Sequence, residues 1–191
     1  MTRPTLREAL QRLGRDGWLE IRQGKPTRVR DYWREGSLGV LGAIAGHPAS
    51  LPPDFIPNLL HVRLALAPAY SALAVERQPQ ATAALLRPGL ELDDLPASFA
   101  SFDWQLHRGL TQLSGNPIYT LILNGFADLY EPLACRYFEN ENARRASQRF
   151  YAGLHAAALA ADPAGAGEIT RRAMLESAEL WAAGFSLPDQ P

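Results

Sequence analysis

Along the first sixteen residues the apolar positions fall at Leu6, Ala9, Leu10 and Leu13. That is the three- and four-residue spacing of one helix face. Arg3, Thr5, Arg7 and Arg12 lie off the stripe and face outward. Thr2 stands where an N-cap belongs, Pro4 fits the first turn, and Gly17 supplies a stop, so the pattern predicts a helix over 2–16. The period then changes. Trp18-Leu19-Glu20-Ile21 and Thr27-Arg28-Val29 flank the turn Arg22-Gln23-Gly24-Lys25-Pro26, which predicts a β-hairpin. No other stretch carries a convincing strand signal. From about residue 31 onward helical periodicity predicts segments near 31–46, 52–74, 78–88, 97–114, 117–137, 141–161 and 165–184. Breakers separate them: Gly46-His47-Pro48, Gln78-Pro79, Arg87-Pro88-Gly89, Gly115-Asn116-Pro117 and Asp162-Pro163. Asn116 before Pro117 is an N-cap followed by proline at the first helical position. No fixed-period repeat is present, which argues against a solenoid.

A helix followed by a hairpin is the second half of a winged helix-turn-helix. The expected fold class is therefore mainly α: a partial winged helix-turn-helix (recognition helix plus β-hairpin wing) over 1–30, then an all-α bundle over 31–191. The 191 residues, 47% hydrophobic, suffice for one ordinary core or two small ones. The single cysteine, Cys135, excludes a disulfide scaffold and a cysteine-rich zinc site. No apolar run approaches the roughly 20 residues that span a bilayer, and no signal-peptide pattern opens the chain, so a soluble cytoplasmic protein without a membrane partner is expected.

The formal charge of −1 looks uninformative until it is divided. Residues 1–34 hold nine bases against four acids, a net of +5, and the rest of the chain carries −6. A basic head on an acidic body places any polyanion contact in the head. Arginine suits guanine, whose O6 and N7 match its fork, while threonine can bond phosphate or touch a thymine methyl. Gly24 lets a backbone come close, and Lys25 is a phosphate partner. The competing reading is an amphipathic surface helix with a solvated basic face.

The run from Thr5 to Ile21, followed by Gly24-Lys25-Pro26-Thr27, resembles the recognition helix and wing of the GntR superfamily. Asn58-Leu-Leu-His-Val-Arg63, Ser114-Gly-Asn-Pro-Ile-Tyr119, Leu121-Ile-Leu-Asn-Gly125, Arg136-Tyr-Phe138 and Glu176-Ser177 with Trp181 narrow the likeness to its FadR-type members. The resemblance implies operator contacts by Thr2, Arg3, Thr5 and Arg7, with Gly24 at the wing and Gln23 where a histidine is expected. It implies a homodimer on a pseudo-palindromic double-stranded DNA operator, since protein and site share a two-fold axis. It also implies further helices ahead of Thr2 that pack on the Leu6–Leu13 stripe, and hence poor operator binding without them. In the body it implies a cavity for long-chain fatty acyl-CoA, with Arg63 as anchor and Tyr137, Glu176, Ser177 and Trp181 around the ligand. Ala173 and Met174 depart from the pattern, because family members have an aromatic and a glycine there; methionine would block or reshape the slot.

Asp103 and His107 lie four residues apart, one turn along one helix face, with His155 on a later helix. This set resembles the related GntR bodies in which an aspartate and three histidines hold a divalent metal that helps bind a small carboxylate. Ser177 stands where the last histidine would be. Zinc, nickel and manganese all suit such ligands. The alternative is a hydrogen-bonded Asp103–His107 pair with His155 as a packed core residue. His47 and His61 have no matching partners. No nucleophile–base motif or phosphate-cradling loop emerges, so no enzyme is expected. A metal-dependent helical-bundle enzyme would rest on the metal set alone. A helical dimerisation module with a vestigial head is the third reading.

Overall fold

The computed structural model describes residues 3–22, 24–36, 40, 41, 44 and 51–184. The chain forms two compact units: Met1–Leu51 with Gly125–Leu129, and Pro52–Asn124 with Tyr130–Pro191.

The first unit opens with α1 (Arg3–Arg15). Gly17, at φ +91°, turns the chain out of it. The amide of Trp18 donates to the Leu13 carbonyl at 3.0 Å and that of Gly17 to the Gly14 carbonyl at 3.3 Å, the paired bonds of a glycine-ended helix. Leu6 and Leu13 are 48% and 41% exposed, so the stripe is largely uncovered. Strands β1 (Leu19–Glu20) and β2 (Arg28–Val29) pair antiparallel, Leu19 opposite Val29 and Glu20 opposite Arg28. The expected helix over 31–46 is interrupted. A single turn, α2 (Tyr32–Glu35), ends at extended Gly36, where a Cβ would clash with the Tyr32 carbonyl oxygen. Val40, Leu41 and Ile44 are helical again, and the rest of that segment lies outside the described residues.

The second unit is helical among its described residues: α3 (Phe55–Arg77), α4 (Pro79–Leu86), a 3₁₀ turn (Arg87–Glu91), α5 (Pro96–Leu113), α6 (Pro117–Asn124), α7 (Ala127–Phe138, within this unit from Tyr130), α8 (Glu141–Leu159) and α9 (Pro163–Gly184). The expected helix over 117–137 is two helices, parted at Gly125 and Phe126. Three starts carry side-chain caps. Asn116 Oδ1 accepts from the Ile118 amide at 3.1 Å, Asn140 Oδ1 from the Asn142 amide at 2.9 Å, and Asp162 Oδ1 from the Gly165 amide at 2.9 Å.

Helix α9 packs most extensively on α3, then on α8. Both helices bury small residues: Ala67, Ser71 and Ala74 on α3, Ala166 and Thr170 on α9. A Cβ on Gly167 would stand 3.5 Å from both Ala72 Cβ and the Pro68 carbonyl oxygen. The core proper is aromatic, with Phe99 against Phe138 at 5.4 Å between ring centroids and Phe102 edge-on to Tyr151 at 4.9 Å. This packing fixes the helices that carry the site.

Candidate functional site

Five helices of the second unit converge on a pocket of about 310 Å³, counting its space open to solvent. Arg63 comes from α3, Asp103 from α5, Tyr137 from α7, Phe150 from α8, and Met174, Glu176 and Ser177 from α9. Arg63 Nη2 donates to Asp103 Oδ2 at 2.8 Å and to His107 Nε2 at 2.6 Å. Asp103 also accepts from the Tyr130 hydroxyl on Oδ2 at 2.5 Å and from the Tyr151 hydroxyl on Oδ1 at 3.0 Å. The Arg63 guanidinium lies 5.6 Å from the Tyr130 ring centroid, within cation–π range. At the rim Glu176 pairs with Arg149 at 2.6 Å. The Ser177 hydroxyl donates to the Met174 carbonyl at 3.1 Å.

The donors settle the protonation states. Arginine can only donate, so His107 Nε2 presents its lone pair and Nδ1 carries the proton, which it gives to the Tyr70 oxygen at 2.7 Å. Burial first, and then the Arg63 charge, push the imidazole down to about 3, so His107 is neutral at ordinary pH. Burial alone would push the Asp103 carboxyl up. Arg63 and the hydroxyls of Tyr130 and Tyr151 outweigh it and hold the carboxyl below the usual carboxylate range. The hydroxyls of Tyr70, Tyr130, Tyr137 and Tyr151 are pushed up, chiefly by burial, and stay protonated. The result is an ion pair inside a shell of neutral polar groups. Arg63 Nε is buried without a hydrogen-bond partner.

Of the residues expected around a ligand, Arg63, Tyr137, Glu176 and Ser177 line this one pocket. Trp181 stacks on Tyr137 at 6.4 Å instead. Met174 is 3% exposed and fills the floor where the sequence suggested an obstruction. The expected metal set does not assemble. Asp103 and His107 come together, but His155 is not with them, and among the described residues no three His, Cys, Asp or Glu side chains are placed to hold a metal ion. Arg63 occupies the lone pairs that a cation would need, and its own charge opposes one. These residues do not fit a divalent metal. Tyr70, Tyr130 and Tyr151 were missed, because a tyrosine in an apolar stripe reads as packing whether or not its hydroxyl is used.

In the first unit Thr5 and Arg7 are exposed on α1, while the Arg3 side chain, Thr2 and Gln23 lie outside the described residues. Gly24, at φ +73°, and Lys25 are exposed at the hairpin tip. Arg28 donates through Nε to Glu20 at 3.0 Å and through Nη2 to both Glu35 oxygens at 3.0 Å. Arg22 also pairs with Glu20.

A basic helix followed by a hairpin wing, with a helical unit after it, is the arrangement of a partial winged helix-turn-helix joined to a helical domain. The comparisons with known proteins agree. The family "Bacterial regulatory proteins, gntR family" matches residues 1–29, and the FadR C-terminal domain matches residues 30–189. A "Fatty acid metabolism regulator protein" of Klebsiella pneumoniae is 39% identical over 189 residues, covering 95% of this chain and 76% of that protein. One of Escherichia coli is 40% identical over 181 residues with the same coverage. A namesake of Yersinia enterocolitica is 42% identical over 154 residues, and there the match spans 64% of the relative's length. Among solved structures Streptococcus agalactiae GntR aligns with a TM-score of 0.51 at 21% identity, over 94% of this chain and 82% of that one; this shows the shared fold. The chain belongs to the GntR family of bacterial regulators that carry a FadR C-terminal domain, a family of transcriptional regulators and not of enzymes. Among the described residues no helix is long and apolar enough to cross a membrane.

Proposed function

We propose that this chain acts as a DNA-binding transcriptional regulator of fatty-acid metabolism, in the cytoplasm and as a homodimer. Its hold on a pseudo-palindromic operator is controlled by long-chain fatty acyl-CoA bound in the helical pocket. The observation that supports this is the convergence of Arg63, Tyr137, Glu176 and Ser177, from three helices distant in sequence, on one pocket. The relatives' shared name supplies the metabolic context. Binding shifts the population between two arrangements, and only one presents both recognition helices of the dimer to DNA. Thr2, Arg3, Thr5 and Arg7 contact the operator, Arg3 and Arg7 reading bases, and Lys25 holds phosphate.

A specific observation favours a second reading, a small carboxylate effector in a metal-free pocket. The enclosed space is far below the range of ligand sites, with room for little more than a water molecule, so a small ligand demands less rearrangement than an acyl chain, and buried Met174 lines it. Calorimetric titration of the purified chain with long-chain acyl-CoA and with small dicarboxylates decides between them. Saturable acyl-CoA binding that weakens in Glu176→Gln supports the first reading. Response to dicarboxylate alone supports the second, and response to neither removes the effector assignment. Release of the operator complex by the same compound, followed by fluorescence anisotropy, links the pocket to DNA.

A further inference from the structure

The hairpin carries three bases, Arg22, Lys25 and Arg28, and they are not equivalent. We infer that Arg28 is a positioning residue that clasps the wing to α2, and that it does not itself hold a DNA phosphate. The inference rests on the DNA-binding reading above and sharpens it.

Three donor contacts of Arg28 are already spent inside the protein, one on Glu20 of the opposite strand and two on Glu35. At Glu35 a single nitrogen, Nη2, is shared between both carboxylate oxygens in a charge-assisted contact, while Nε holds Glu20. Glu35 is the last residue of α2, so the bridge runs from the second strand to the helix that follows it. A second link lies nearby. Trp18, at the base of the hairpin, packs its ring on Tyr32 of α2 at 5.1 Å, and its carbonyl accepts from the Arg30 amide at 2.9 Å. The two family matches meet between residues 29 and 30, so both links join the GntR segment to the start of the FadR C-terminal segment. Two strands of two residues have too few ladder bonds to fix their own direction, and a hairpin that short is marginal alone. Arg22 is likewise matched by Glu20. Lys25 has no ion-pair partner among the described residues, which leaves it as the wing cation open to phosphate.

The two roles predict opposite signs for one substitution. Affinity for double-stranded DNA is measured against salt by anisotropy, for the full chain and for Arg28→Gln and Glu35→Gln. A clasp predicts that both variants weaken binding by about two- to fivefold, the range of an exposed ion pair, with the salt slope unchanged. A phosphate contact predicts that Arg28→Gln lowers the slope by about one and that Glu35→Gln, which deletes an acid, tightens binding. That pair of results overturns the inference. Hydrogen exchange read without DNA provides the second measurement. Glu35→Gln should speed exchange at the hairpin amides, including that of Arg30, and unchanged protection there also overturns the clasp. If the parent chain binds no DNA, the DNA-binding reading fails on its own, and exchange still decides whether Glu35 fastens the wing.

Discussion

Acid should weaken the helical unit through one residue. His107 is fully buried, accepts from Arg63 and gives its proton to Tyr70, with Asp103 3.7 Å away and Phe150 stacked on its ring. Burial and then Arg63 lower its folded pKa to about 3, whereas an unfolded imidazole titrates near about 6.5. Below about pH 6.5 the unfolded chain therefore takes up a proton that the folded chain refuses. Stability contributed by the neutral ring is present at higher pH, falls as pH drops through the unfolded value, and stops falling near the folded one. Each pH unit inside that window is worth about 1.4 kcal/mol, so going from about pH 8 to about pH 5 should remove about 2 kcal/mol. The assay is urea unfolding followed by helical circular dichroism across that range, for the parent and for His107→Leu. At about pH 8 the variant loses roughly 1–3 kcal/mol, because Arg63 and Tyr70 lose a partner, and the deficit shrinks as pH falls. Its pH dependence should be shallower than the parent's by the same 2 kcal/mol. His61 and His155 are common to both proteins, so they cancel in the difference. Equal slopes in parent and variant would refute the buried neutral imidazole.

Three further outcomes follow from the packing. Asp103→Asn leaves the Arg63 cation uncompensated and should cost roughly 3–5 kcal/mol, whereas the paired change Arg63→Met with Asp103→Leu should recover most of it, both read by urea unfolding. Gly89→Ala would set a Cβ 2.3 Å from Phe102 Cε1, a ring locked in the core, and should lower stability by about 1–3 kcal/mol in a thermal melt. Chelation with EDTA should leave the melting temperature unchanged, because Arg63 already satisfies Asp103 and His107; a fall that zinc reverses would restore the metal reading.

Most of the secondary structure was legible because its signals are local. Gly17, Asn116-Pro117 and the hairpin turn each act within a few residues, and each works in the structure as its chemistry requires. The two misread helices share one cause. Gly125 is an isolated glycine inside an apolar periodic stretch, and Gly36 opens a series with Gly39, Gly42 and Gly46 whose intervening apolar residues keep a helical period, so in both places the period outweighs the breaker. The site was half legible. Asp103 and His107 announce themselves by their four-residue spacing, and spacing says nothing of the third partner. That partner, Arg63, is 40 residues away, and only packing decides that a guanidinium, not a metal, stands between them. The tyrosines stayed hidden for the same reason, since their rings belong to the apolar pattern and their hydroxyls do not alter it.

The seam between α3 and α9 has an entropic consequence. Alanine and glycine surrender no rotamers when they are buried, so the approach of Gly167 to Ala72 and Pro68 costs little side-chain entropy. Equally, that contact has no rotamers with which to absorb a change, and close packing leaves little slack to compress. Arg63 and Met174 stand on opposite sides of that joint, one on each helix. The distance between the pocket's charged wall and its floor is therefore set by a hinge that does not bend. Whatever enters must gain its room by turning the thioether of Met174 or the ring of Tyr137, or else by displacing α5, α7 or α8.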